Sequence, residues 1–296
     1  MGFAVPNAPV AADGGLATEL EARGHDLSDA LWSARLLADR PDAVLEAHRA
    51  YFRAGAAFAT TASYQASFEG FAERGIGRAE AEQLLRHSVA LARRARAEFA
   101  DDGVPRWVAA SVGPFGAALA DGSEYRGRYG MTSTALRAWH RPRLEVLAAA
   151  GPDLLALETI PDVDEAEALV STLSGTGLPA WLTYTVENGR TRAGQPLTAA
   201  FELAAEAPEV VAVGVNCCAP GEVPDAAAHA REVTGKPVVV YPNSGESWDP
   251  DTGWSGPVPY SVERVPQWIE AGARIIGGCC RVGPAEIAAV AEKLRS

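Results

Sequence analysis

Eight short runs of apolar and β-branched residues punctuate the chain: Val10–Asp13, Phe58–Thr61, Trp107–Val112, Leu154–Glu158, Ala180–Thr185, Val210–Asn216, Val238–Pro242 and Arg274–Gly278. Each reads as a strand. Between them, polar and apolar positions alternate with helical spacing. Pro41–Ala54 opens with a proline suited to a first helical turn. Ala79–Ala100 places Leu84, Leu85, Val89 and Ala92 on one face. Thr134–Ala150, Val163–Leu173, Leu197–Ala207, Glu222–Val233, Ser261–Ala271 and Pro284–Leu294 follow. Strands alternating with helices imply parallel βαβ units. Eight such units predict a closed (β/α)8 TIM barrel, with an open doubly wound sheet as the alternative. No repeat, low-complexity tract or linker interrupts the pattern, so residues 1–296 read as one barrel domain.

The apolar runs end on polar or thiol residues: Asp13, Thr60–Thr61, Ser111, Glu158, Thr185, Asn216–Cys217, Asn243 and Cys279–Cys280. In a barrel these ends converge on the C-terminal face, where active sites form. Any one of them could simply be a strand end meeting water, but the ring as a whole marks a candidate site. Composition narrows the partners. A hydrophobic fraction of 48% excludes a mostly disordered chain. With Lys and Arg totalling 26 against 38 Asp and Glu, the net charge is −12, which argues against nucleic acid or an anionic membrane as partner and suits a cationic small molecule. No run approaches the roughly 20 apolar residues of a spanning helix, and Met1 to Ala12 lacks the features of a signal peptide. The expectation is a cytoplasmic protein with reduced thiols.

All four cysteines occur as neighbours, Cys217–Cys218 after the sixth strand and Cys279–Cys280 after the eighth, which puts both pairs on one rim. Zinc takes thiolates in tetrahedral geometry, and a catalytic site leaves one position open. Two adjacent cysteines reach one metal only across a sharp turn, and Gly277 and Gly278 offer that freedom. Three other readings stand beside the open zinc site: buried structural cysteines, a closed site using all four thiols, and a disulfide, which a reducing compartment disfavours.

Several motifs together resemble the zinc-dependent homocysteine S-methyltransferases. They are Asp13-Gly14-Gly15-Leu16-Ala17-Thr18-Glu19-Leu20, Thr60-Thr61-Ala62-Ser63-Tyr64-Gln65-Ala66, Ser111-Val112-Gly113-Pro114-Phe115-Gly116, Glu158-Thr159, Gly214-Val215-Asn216-Cys217, Tyr241-Pro242-Asn243 and Gly277-Gly278-Cys279-Cys280-Arg281. The stretch Leu119 to Tyr129 is similar to the branch using a methyl sulfonium donor, S-methylmethionine or S-adenosylmethionine, rather than betaine or cobalamin. The resemblance implies Zn2+ on Cys217, Cys279 and Cys280, with Cys218 left as a spare thiol. It implies that Asp13, Gly14, Gly15 and Glu158 hold the amino-acid part of homocysteine, and that methionine is the product. Selenocysteine or another thiol as acceptor, a non-catalytic zinc-thiolate protein, and a module fed by a corrinoid partner are the competing functions.

The remaining candidates are read from position. Asn216 and Asn243 either bind ligand or satisfy strand-end backbone groups. Thr61, Ser63, Tyr64, Gln65 and Ser111 are candidate pocket-lining residues. Trp32, Phe115, Tyr125, Tyr129, Trp248 and Trp254 are candidate contacts for a cationic donor through their ring faces. The long, Gly-rich segment from Gly113 to Met131 reads as a cover over the site. His25, His48, His87, His140 and His229 lie away from the strand ends and are expected to be solvated or on helix surfaces, with no part in proton transfer.

Overall fold

The computed structural model describes residues 3–27, 31–249 and 253–296. Eight parallel strands form its centre: β1 (Val10–Ala11), β2 (Phe58–Thr60), β3 (Trp107–Val112), β4 (Leu154–Ile160), β5 (Ala180–Tyr184), β6 (Val210–Asn216), β7 (Val238–Tyr241) and β8 (Ala273–Ile276). Their order is β1-β8-β7-β6-β5-β4-β3-β2, each strand beside its sequence neighbour apart from the join of β1 to β8. The ring closes between β1 and β2 through one backbone bond, Ala57 N to Ala11 O at 2.7 Å. Past that point the Asp13 side chain continues the seam by accepting from Thr60 N at 2.7 Å and Thr60 Oγ1 at 2.8 Å. The result is the (β/α)8 barrel that the alternation predicted. The open sheet is set aside, because an open sheet has two free edges and these edges are joined.

Eight helices surround the ring: α1 (Pro41–Arg53), α2 (Arg78–Ala97), α3 (Ser133–Ala149), α4 (Val163–Leu173), α5 (Leu197–Glu206), α6 (Val223–Thr234), α7 (Val265–Glu270) and α8 (Pro284–Lys293). All coincide with the periodic segments to within a few residues; α7 is the shortest because its first turn, Val262–Arg264, is 3₁₀. The apolar side chains divide into two layers. One lies between sheet and helices; the other fills the barrel with Phe58, Ala109, Ala156, Trp181, Val239 and Ile275. Phe3 stoppers the N-terminal end of the barrel, its ring edge-on to Phe58 and Trp107. That end is therefore closed by packing, which leaves the opposite end for chemistry.

Two histidines depart from expectation. His48 on α1 and His140 on α3 are fully buried, while His87 is exposed. Helical spacing accounts for it: His48 follows Val44 by one turn and His140 lies one turn from both Leu136 and Leu144, so each shares its helix's inward face. Among the described residues no helix is long and apolar enough to cross a membrane.

Candidate active site

The C-terminal rim brings together three sulfurs from two distant segments. Cys217, Cys279 and Cys280 place their Sγ atoms within 4.8 Å of one another. Cys217 follows β6 and stays tied to the next strand by its N–H to Tyr241 O. Cys279 and Cys280 sit in the turn after β8, where Cys279 N donates to Pro242 O at 2.8 Å and Cys280 N to Asn243 Oδ1 at 3.1 Å. Cys218 is not in this group; it is buried in the sheet–helix layer.

The glycines around the turn do something other than expected. Gly277 and Gly278 are absent from the left-handed positions, which fall instead on Cys217 (φ 47°) and Arg281 (φ 65°). The glycines matter for close approach. A Cβ on Gly277 would lie 2.5 Å from the Asp13 carbonyl, and one on Gly15 would lie 2.5 Å from the Cys279 carbonyl. The Asp13–Gly15 turn and the cysteine turn are pressed together, and side chains there would part them.

Cys217 and Cys279 are joined as a disulfide, with Cα atoms 5.6 Å apart. This departs from the expectation of reduced thiols. The physical reason is convergence: a rim that draws two thiols to one point also meets the distance a disulfide needs. The same three sulfurs fit a metal. Thiolates around a tetrahedral zinc at about 2.3 Å stand roughly 3.8 Å apart, inside the 4.8 Å that encloses these three sulfurs. Burial pushes the Cys280 thiol up to about 11, opposed by a hydrogen bond from the Tyr125 hydroxyl.

Two buried carboxylates face the same mouth. Asp13 is raised to about 7, first by burial, with the charge of Glu158 adding to the rise and Thr60 opposing it. Glu158 is raised by burial against hydrogen bonds from Ser111 and Tyr241. Ser111 Oγ donates to one Glu158 oxygen and Tyr241 Oη to the other at 3.0 Å. No cationic side chain among the described residues pairs with either acid. The two acids feel each other's charge, and their hydrogen-bond partners are hydroxyls and a backbone N–H.

The other candidates are distributed unevenly. Asn216 is committed to the backbone: its Oδ1 accepts from Thr159 N and its Nδ2 donates to Thr159 Oγ1, both at 2.7 Å. That bond set holds Thr159 at φ 60° immediately after Glu158. Asn243 likewise orients Cys280. The Thr61 and Ser63 hydroxyls pair at 2.7 Å and hold the Ser111 backbone, with Ser63 Oγ donating to Ser111 O and Ser111 N to Thr61 Oγ1. Gln65 donates to Ala117 O at 2.9 Å, while its Oε1 is buried without a partner. Tyr64 is hydrogen-bonded to Thr159. Phe115 packs on Tyr129 and Trp139. The side chains of Trp32, Trp248 and Trp254 lie outside the described set. Position-based reading passed over Tyr241, Thr159 and Glu124. Tyr241 and Thr159 lie inside quoted motifs next to singled-out residues, and strand alternation would have turned Tyr241 toward the barrel interior.

The match to known proteins now has a site to attach to. The family model described as homocysteine S-methyltransferase matches residues 10–294. The chain belongs to the homocysteine S-methyltransferase family. It is 48% identical to homocysteine S-methyltransferase 4 of Zea mays, over 96% of this chain and 88% of that one. The crystal structure of the Escherichia coli homocysteine methyltransferase MmuM in its metallated form superposes with a TM-score of 0.88 at 46% identity, over 98% and 97% of the two chains. The oxidised form of the same enzyme gives the same TM-score and 46% identity over 97% and 96%. The methyltransferase described here thus shares its whole barrel with enzymes of this activity, and is itself a methyltransferase acting on a small molecule.

Proposed function

We propose that this methyltransferase moves a methyl group from a sulfonium donor, S-methylmethionine or S-adenosylmethionine, to homocysteine at a zinc centre on Cys217, Cys279 and Cys280. The observation that carries the reading is the convergence of three sulfurs beside two uncompensated buried carboxylates. A zinc ion held by these thiolates would keep the homocysteine sulfur deprotonated at neutral pH, where a free thiol is mostly protonated. The reading places the protein in a reducing cytoplasm, where Cys217 and Cys279 stay available as ligands.

Each residue then has a task of its own. Asp13 and Glu158 receive the homocysteine ammonium, which supplies the cation their pocket lacks. Ser111 and Tyr241 hold Glu158 in place, and Asn216 fixes the Thr159 turn beside it. Gly14 and Gly15 let the Asp13 turn lie against the cysteine turn, so that ammonium site and sulfur site keep a fixed separation. Methyl transfer between sulfurs is an in-line displacement whose rate depends on alignment, and a rigid separation supplies it. Segment 113–131 covers the centre, with Tyr125 reaching Cys280. The product is methionine.

The test is an initial-rate comparison. Protein reduced and loaded with zinc is given homocysteine with S-methylmethionine or S-adenosylmethionine, and metal is quantified in the same sample. Methionine formation in proportion to bound zinc is expected. Turnover that is independent of metal content, or a need for a corrinoid protein, refutes the reading.

A further inference from the structure

The acceptor ammonium has two acids waiting for it, but the donor is also a cation, and apart from the ring faces considered for it no group named above carries the opposite charge to receive it. The covering segment holds an unused acid. Glu124 lies in the 3₁₀ turn Ser123–Tyr125. Its Oε2 is sealed from solvent and has no hydrogen-bond partner. Burial raises its carboxyl, and no cation opposes the rise. A carboxylate oxygen in that state costs free energy, and a structure keeps it when something else completes it.

The position of Glu124 says what that something touches. Its charge acts on the hydroxyls of Tyr64, Tyr125 and Tyr129 and on the Cys280 sulfur. Its neighbour Tyr125 acts on the same sulfur. The backbone is held on both sides: Tyr125 N donates to Gly122 O at 3.1 Å, Arg126 N to Ser123 O at 2.9 Å, and Arg192 Nε to Tyr125 O at 2.9 Å. Glu124 is therefore held within electrostatic reach of the Cys280 sulfur, on a turn pinned in place.

We propose that Glu124 binds the α-ammonium group of the sulfonium donor. The ammonium is favoured over the sulfonium on kinetic grounds. The sulfonium loses its charge as the methyl leaves, so a carboxylate against it would stabilise the ground state and slow the transfer. The α-ammonium, several bonds away, keeps its charge throughout. Binding it strengthens donor capture and leaves the chemical step alone. The inference rests on the sulfonium-donor reading above and names the residue that reading lacks.

The experiment compares S-methylmethionine with its desamino analogue, a sulfonium of the same length without the amino group. Both are used with zinc-loaded wild type and Glu124→Gln at saturating homocysteine. Glu124→Gln should raise the KM for S-methylmethionine roughly 10- to 100-fold, the range for losing a charged hydrogen bond. The kcat, the homocysteine KM and the zinc content should stay at wild-type values, and the KM for the desamino donor should not move. Wild type alone gives a second measurement: its kcat/KM should favour S-methylmethionine over the desamino donor by a similar factor, and a ratio near one overturns the inference without any variant. A penalty of equal size on both donors also overturns it, since that places the carboxylate against the sulfonium. Normal wild-type turnover with an indifferent Glu124→Gln overturns this inference alone. No wild-type turnover with any sulfonium overturns the donor reading and this inference with it.

Discussion

The two cysteine pairs look alike in sequence and are treated differently by the fold. Cys217–Cys218 closes a strand. Cys217 takes a left-handed backbone after Asn216 and sends its sulfur to the centre, while Cys218 goes into the sheet–helix layer among apolar side chains. Consecutive residues leaving a strand tend to part in this way. Cys279–Cys280 lies beyond its strand, in a turn closed by Val282 N to Cys279 O at 3.1 Å and followed by Arg281 at φ 65°. In a turn two neighbours can face the same side, and both sulfurs join the group. Segment 242–244 runs between the pairs and bonds to each, through Asn243 N to Cys218 O and Ser244 N to Cys280 O. Adjacent cysteines alone therefore do not specify which sulfurs converge. The backbone that carries them does.

The largest expected effect comes from the pair that acts as a unit. Cys280→Ser should lose bound zinc and bring methionine formation to background, because a serine hydroxyl stays protonated where a thiolate is required. Atomic emission on the purified protein, alongside the rate assay, checks it. Full zinc and turnover in Cys280→Ser would break the assignment of both neighbours to one centre.

A smaller effect should follow from moving the turn without touching a sulfur. In Gly15→Ala the new Cβ starts 2.5 Å from the Cys279 carbonyl and 2.6 Å from Thr18 Oγ1. Thr18 can rotate away, but the carbonyl belongs to the turn and must shift. Zinc affinity should fall roughly 10- to 100-fold, the range for disturbing groups that orient metal ligands. Competition with a chelator of known affinity measures it. An unchanged affinity would show that the cysteine turn is not held by its contact with the Asp13 turn.

Much of this was legible in the sequence, and the exceptions have physical causes. The strands could be read because buried parallel strands are continuous apolar runs, and their polar ends pointed to the rim. Helix periodicity held the signal for the buried His140 and His48, although neither residue type suggests burial. What the pattern could not supply was partnership across the barrel. Nothing local says that Asp13 completes the β1–β2 seam through Thr60, that Asn216 is spent on Thr159, or that Glu158 is held by Ser111 and Tyr241. Each of these joins residues between 47 and 83 positions apart. Glu124 was hidden for another reason. It sits in a Gly-rich loop with no period, where an acid ordinarily meets water.

The smallest effect belongs to Cys218. Its sulfur lies outside the group of three, among apolar side chains, where burial pushes the thiol up to about 12 with Glu222 adding to the rise. A thiol in that layer, away from the other three sulfurs, packs as a small hydrophobe. Cys218→Ser should therefore keep wild-type zinc and turnover. Its cost appears in stability, because a hydroxyl now sits in an apolar layer: about 1–3 kcal/mol, a fall in melting temperature of a few degrees for a chain of this size. Cys218→Ala separates the terms, since it leaves a small void but buries no hydroxyl. The comparison of the two pairs turns on this result. Loss of zinc in Cys218→Ser would mean that the first pair also acts as a unit, closing a four-thiolate site with no position left for the homocysteine sulfur.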